Sequence, residues 1–313
     1  MTTATESTPR RQPAANVERG RLAAFRPPWL GAWLFIAPAV LLVFALTLYP
    51  LGFAAVISFF DYDVTRSVAY YVEWENFAEL AAGPFVHALR VTLLFAIPAV
   101  AIEMVLGIAI AVLLQSPALR RLSPAIMAVI LMPLLMAPVV SGSTFKLLLN
   151  PVFGVLNRLF SWGTPSIDFL GNGTLALATL VAIDVWMWTP FVVLLVTAAL
   201  LSVPEPLYDA AKMDGARAFE RFRYITLPTI RPVLLVVVLF RIIDSVKIAD
   251  IPYAVTQGGP GASTDVLSLL IYRTSFKNFN VGQGAAMSIV FVLILMLPVL
   301  GLYLTTRRKK AAS

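Results

Sequence analysis

The chain has 313 residues, 59% of them hydrophobic and 13% charged, with a mean hydropathy of +0.84. Soluble domains run nearer half apolar and a quarter charged, so this composition fits lipid as the main solvent; the dominance of apolar residues and the absence of cysteine exclude disordered, collagenous and disulfide-built classes. The net charge of +7 does not mark a nucleic-acid partner, because the cations cluster between apolar runs.

Residues 1–28 are polar and basic and read as a disordered cytoplasmic tail. The apolar run behind them is too long for a signal-peptide core and reads as an uncleaved first span. In all, six long apolar stretches follow one another, roughly at 31–57, 88–114, 123–149, 173–200, 232–256 and 281–305. Each exceeds the ~20 residues that a helix needs to cross ~30 Å of hydrocarbon. Lipid offers no partners to bare backbone, so the spans should be helical, with internal prolines such as Pro133, Pro138, Pro190 and Pro298 marking kinks or buried breaks. The expected fold is an all-α membrane protein of six transmembrane helices over 29–306, followed by a basic cytoplasmic tail at 307–313.

Orientation follows from where Lys and Arg lie. The N-terminal tail, the connection after span 2 (Arg120, Arg121), the connection after span 4 (Lys212, Arg217, Arg221, Arg223, Arg231) and the C-terminal tail together hold sixteen. The opposite connections hold four: Arg66, Arg158, Arg273 and Lys277. Both termini are therefore expected in the cytoplasm, in a multi-pass protein of the cell membrane.

The connection from Ser202 to Arg231 is patterned as more than a link. Ser202 and the prolines after it suit a helix start, and Gly215 suits a helix end. The short helix between them carries a slim apolar surface (Leu207, Ala210, Ala211, Met213) and the charges of Asp209, Lys212 and Asp214, which suits docking into a groove on a partner or resting on the membrane surface. Asp209-Ala210-Ala211, three residues, Gly215, nine residues, Ile225-Thr226-Leu227-Pro228 matches the EAA-x3-G-x9-I-x-L-P pattern of permease subunits in binding-protein-dependent ABC importers, with Asp209 in place of the usual Glu. The chain thus resembles that family from about Leu34 to Arg307. Asn150-Pro151 to Asn157, Trp188-Thr189-Pro190-Phe191, Thr256 to Pro260 with Thr264, and Glu73 to Phe77 are similar to its carbohydrate-uptake branch, the maltose and glycerol-phosphate type; Arg90-Val91-Thr92 departs from it.

The resemblance implies a coupling helix, seated in a groove of a separate ATPase, with Asp209, Ala210, Ala211, Gly215, Ile225, Leu227 and Pro228 as its signature. It also implies a second, similar permease, a pair of ATP-binding subunits and an external solute-binding protein as partners, and a sugar or polyol as solute. None of the six lysines lies in Gly-Lys-Ser/Thr, so ATP and its magnesium belong to the partner. With no cysteine, one histidine, His87, and no facing carboxylate pair evident in a soluble region, the chain has almost nothing for metal binding or acid–base catalysis to use.

Several charges fall inside the spans: Glu103, Asp184, Arg241, Asp244, Lys247 and Asp250. Each is costly in lipid, by ~2.5–3.5 kcal/mol at mid-helix, unless paired or wet. Arg241, Asp244, Lys247 and Asp250 alternate in sign at i,i+3, so a continuous helix would place them on one face. Counting ~1.5 Å per residue from the cytoplasmic ends matches Arg241 with Glu103 and Lys247 with Asp184 as interhelical pairs. Such a face either lines the solute pathway or ties helices together. By resemblance, the sugar-contacting candidates are Asp184 and Trp188 in span 4, Asp244, Ser245 and Lys247 in span 5, and Gln283 and Ser288 in span 6. Two rivals remain. An ion-coupled secondary transporter would need an inverted repeat or broken helices, which the sequence does not display; a membrane-embedded enzyme would need a nucleophile or metal site.

Overall fold

The computed structural model describes residues 28–311 apart from positions 67, 117, 163 and 164, so the basic tail expected before Pro28, with its five arginines, lies outside the described residues. The chain divides into two units, Met1–Phe53 and Ala54–Ser313. What is described of the first is the body of helix α1 (Pro28–Ile57), whose side chains beyond residue 35 are apolar on every side and largely exposed, Leu41, Phe44 and Tyr49 among them. A helix apolar all round is suited to lipid or to another helix.

The second unit opens with a short antiparallel hairpin, β1 (Phe60–Tyr62) and β2 (Ala69–Tyr71), with Phe60 opposite Tyr71. Helices α2 (Glu75–Ala82) and α3 (Pro84–Leu114) follow, then α4 (Ser123–Ile130), α5 (Pro138–Leu148), α6 (Val155–Phe160) and α7 (Gly173–Leu201). Asn172 starts α7 by accepting the N–H groups of Thr174 and Leu175 at 3.0 and 3.2 Å. Beyond it come α8 (Glu205–Met213), α9 (Ala218–Arg221), a π-helical turn (Phe222–Thr226), α10 (Leu227–Val246), α11 (Asp250–Val255), α12 (Leu267–Tyr272), a second π-helical turn (Arg273–Lys277) and α13 (Val281–Ala311). The backbone of α13 stays helical through the basic cluster expected to be a separate tail from residue 307.

Among the described residues, four helices are long and apolar enough to cross a membrane: Ile36–Ile57, Pro84–Leu114, Gly173–Leu201 and Val281–Gly301. The other two expected spans are broken. The stretch 123–149 is divided into α4, a 3-10 turn (Met132–Leu135) and α5, because Pro133 and Pro138 lack the N–H a continuous helix needs, and Ala137, preceding a proline, is extended. The stretch 232–256 is divided at Lys247–Ala249: α10 ends at Val246, and Pro252, unable to bond the carbonyl four residues back, sits in the first turn of α11. The break at Pro133 and Pro138 is one that their place inside an apolar run allowed for, whereas the break at 247–249 was not expected. The fragments after the two breaks pack on each other, close enough that a Cβ added at Gly142 of α5 would lie 3.1 Å from Ala254 of α11.

The core is built on α3 against α7. Phe95, Ala99, Leu180, Ile183 and Met187 join Ile251, Leu267 and Met287 in one buried cluster; Ala111, Val192, Val196, Ile230 and Val237 form a second. Gly107 marks a close approach of α3 to α7, since a Cβ there would stand 2.5 Å from Val192. Small residues let membrane helices meet at this range.

Candidate functional site

The charges that the sequence scatters over three helices converge on Arg241. Its side chain is fully buried on α10 and reaches three carboxylates. Nε and Nη2 donate to the two oxygens of Glu103 on α3 at 2.6 and 2.8 Å. Nη2 also reaches Asp184 on α7 at 3.0 Å, and Nη1 donates to Asp244, one turn along α10, at 2.7 Å. The guanidinium lies 4.7 Å from the centroid of the Trp188 ring, which meets Phe191 edge-on. A forked, planar cation is the side chain that can serve three acceptors at once. This cluster stitches α3, α7 and α10 together in the protein interior.

The pair of Arg241 and Glu103 forms; that of Lys247 and Asp184 does not. Asp184 turns to Arg241 instead, and among the described residues neither Lys247 nor Asp250 makes an ion pair within 4.0 Å. The reason is the break at 247–249. It ends the helix face on which the four alternating charges were expected to line up, so only Arg241 and Asp244 keep their i,i+3 contact.

At the break lies a cavity of about 240 Å3, walled by Asp184, Trp188, Asp244, Lys247 and Asp250 and by Pro138 at the start of α5. Asp244 is the exposed edge of the cluster: its side chain is 32% accessible where that of Asp184 is 1%. Five of the polar or aromatic residues expected on a solute path, or as buried charges, thus meet in one place. Others do not. Ser245 is buried with its hydroxyl unpartnered and is not on the cavity wall. Gln283 donates to Glu79 of α2 at 2.8 Å, and Ser288 folds back onto the Gly284 carbonyl of its own helix. The sequence reading missed Pro138 and the backbone of residues 248–251, whose only signal was proline inside an apolar run. A larger cavity of about 910 Å3 between α3, α4 and α7 is almost wholly apolar, with Thr174, Trp186 and Thr189 as the residues in its lining that carry a polar side-chain atom.

The motif at 209–228 folds as an exposed helix on a buried base. Ser202 does not cap it; its hydroxyl donates to Ala199 at the end of α7, and Pro204 precedes α8 without a side-chain cap, because the prolines push the start onward. Gly215, at φ +77°, closes α8: its N–H bonds Lys212 at 3.0 Å and that of Ala216 bonds Ala211 at 2.9 Å, a Schellman ending that a left-handed residue makes possible. Ile225 and Leu227 pack on the second core cluster, and the Tyr208 hydroxyl meets Thr226 at 2.8 Å, fastening α8 to the π-helical turn. Asp209 and Lys212 pair on the open side at 2.8 Å, and Leu207 and Met213 stand exposed. The motif therefore divides into anchors (Ile225, Leu227) and outward groups (Asp209, Ala210, Gly215, Pro228).

The loop between α11 and α12 is rigidly bonded. Thr264 donates to Gly259 at 2.7 Å, Arg273 pairs with Asp265, and His87 Nε2 meets the Ala262 carbonyl at 3.0 Å. Burial raises the Asp265 carboxyl above the usual range, with Arg273 opposing. Thr92 of α3 accepts the Leu267 N–H at 2.8 Å and so holds the start of α12.

The family model of the binding-protein-dependent transport system inner membrane component matches residues 91–309. The trehalose/maltose transport system permease protein MalF of Thermococcus litoralis is 38% identical over 221 residues, 69% of this chain and 73% of the relative. The trehalose transport system permease protein SugA of Mycobacterium tuberculosis is 33% identical, covering 83% of each. The fold is shared with a chain of a bacterial ABC transporter involved in the import of the acidic polysaccharide alginate, at a TM-score of 0.79 and 21% identity over 90% of this chain and 96% of that one.

Proposed function

Because the chain belongs to the family of binding-protein-dependent transport system inner membrane components, we propose that it is the sugar-moving permease subunit of an ATP-driven importer. It is a non-catalytic membrane protein, a carbohydrate-type ABC permease, and ATP is hydrolysed by a separate polypeptide. The detailed architecture in this proposal has six membrane crossings, two of them assembled from α4 with α5 and from α10 with α11, and both termini in the cytoplasm. Sixteen cations against four in the connections support that orientation.

One observation carries the mechanism: a nine-residue helix, α8, bearing the importer motif is held exposed on a base buried in the core. In the proposed assembly α8 sits in a groove of the ATP-binding subunit. Movement of that subunit passes through Tyr208, Ile225 and Leu227 into α10, whose far end carries Asp244 at the cavity wall and Arg241 buried behind it. A polar cavity ringed by an aromatic side chain and hydroxyl-binding groups suits a sugar. At about 240 Å3 it falls below the roughly 300–1,000 Å3 of closed ligand pockets, which fits completion by a second permease facing it. ATP with magnesium, a pair of ATPase subunits and an external solute-binding protein complete the machine. Each ligand must favour one of two global states for access to alternate.

The test is co-purification with uptake. A tagged chain should retain an ATPase subunit, and Gly215→Trp should abolish sugar uptake while the membrane domain still folds, because the bulk of the side chain and the strain it brings at φ +77° stay at the exposed end of α8, with nothing within 4 Å of a Cβ there. Retention of no ATPase, together with unchanged uptake in the variant, would overturn the proposal.

A further inference from the structure

We infer that the cavity at the α10–α11 break admits an uncharged saccharide and rejects anionic ones. This rests on the sugar-importer reading above and adds the charge class of the solute. The named solutes of the similar proteins include both trehalose or maltose and an acidic polysaccharide, so family membership leaves that class open.

The cavity wall carries three carboxylates, Asp184, Asp244 and Asp250, against one ammonium, Lys247. The neighbouring guanidinium is unavailable to a solute. Arg241 has no accessible side-chain surface, its Nε, Nη1 and Nη2 are all engaged with carboxylates, and it lies over Trp188. Counting the whole cluster, Glu103, Asp184, Asp244 and Asp250 face Arg241 and Lys247, so even two bound protons bring it only to neutrality. Carboxylate, sulfonate and phosphate groups are recognised by free forked guanidinium, by several cations or by bare helix N-termini. The start of α11 is not bare: Asp250 occupies its first turn.

Sugar hydroxyls, in contrast, both donate and accept. They can donate to the exposed edge of Asp244, held in place by Arg241, and to Asp250, and accept from Lys247. Trp188, with its ring already engaged by Arg241, offers its remaining surface to a sugar ring. Arg241 is in this scheme a positioning residue, and Asp244 and Asp250 set the charge preference.

The experiment uses the purified membrane complex, with its partner permease and ATPases but without the solute-binding protein, so that only the membrane cavity selects. Calorimetric titration compares trehalose with trehalose 6-phosphate and maltose with maltose 6′-phosphate. The unphosphorylated member of a pair should bind at least tenfold tighter. Asp250→Lys, at an exposed position with no ion-pair partner among the described residues, should narrow that gap severalfold without loss of folding. Equal or tighter binding of the phosphorylated member, or an unchanged gap in Asp250→Lys, would overturn the inference while leaving the sugar-importer reading intact. Binding of neither member of either pair would count against that reading itself and remove the inference with it.

Discussion

Arg241 concentrates the energetic risk of this protein in one side chain. Burying a guanidinium and two carboxylates, Glu103 and Asp184, away from water is tolerable only while they satisfy one another, and removing one partner of a buried pair typically costs about 3–5 kcal/mol. Arg241→Met should therefore lower stability by that order, read as a fall in the thermal midpoint of the solubilised protein. Arg241→Lys should fall between, because a point charge cannot hold both oxygens of Glu103 and reach Asp184 and Asp244 as well. Lys247 is the contrasting case. Exposed at the break and without an ion-pair partner among the described residues, it should tolerate Lys247→Met with an unchanged midpoint, while sugar uptake by the assembled importer falls. A large loss of stability in Lys247→Met would show it to be structural. The sequence singled out these residues because charge inside an apolar run is conspicuous. Matched depth found the pair of Arg241 with Glu103 but mispaired Lys247 with Asp184, since depth along a helix says nothing about rotation around it.

At the scale of elements, proline decides where helices stop and glycine decides where they touch. Pro133 with Pro138 and Pro252 divide two apolar stretches, and the pieces pack on each other at the cavity. Continuous helices there would remove the break at which the cavity lies. Gly107 lets α3 approach α7, and Gly107→Ala should destabilise the protein by about 1–3 kcal/mol through overpacking, seen as earlier unfolding in denaturant. Gly52→Ala on α1, where nothing lies within 4 Å, is the control and should leave unfolding no earlier, since Ala favours the helix over Gly. The importer motif was legible as a pattern, yet its division into anchors and outward groups was not. Ile225 and Leu227 are half-buried against the second core cluster, and no local rule announces that.

For the whole molecule, the orientation can be tested directly, because the chain has no cysteine of its own. In intact cells, Arg121→Cys and Lys212→Cys should resist a membrane-impermeant thiol reagent, whereas Arg66→Cys and Lys277→Cys should react; the reverse pattern would invert the topology. Composition and charge placement alone determined that this is a membrane protein, how many apolar stretches it has and which connections are basic, because transfer into lipid is set residue by residue and adds along the chain. The motif at 209–228 determined its family, because its spacing is local. Tertiary structure decided what those readings left open: which spans are interrupted, that Arg241 gathers Glu103, Asp184 and Asp244, and that Gln283 and Ser288 stay away from the cavity. Those outcomes depend on the azimuth at which distant helices pack, which is fixed by the summed fit of many side chains and is not written in any one segment.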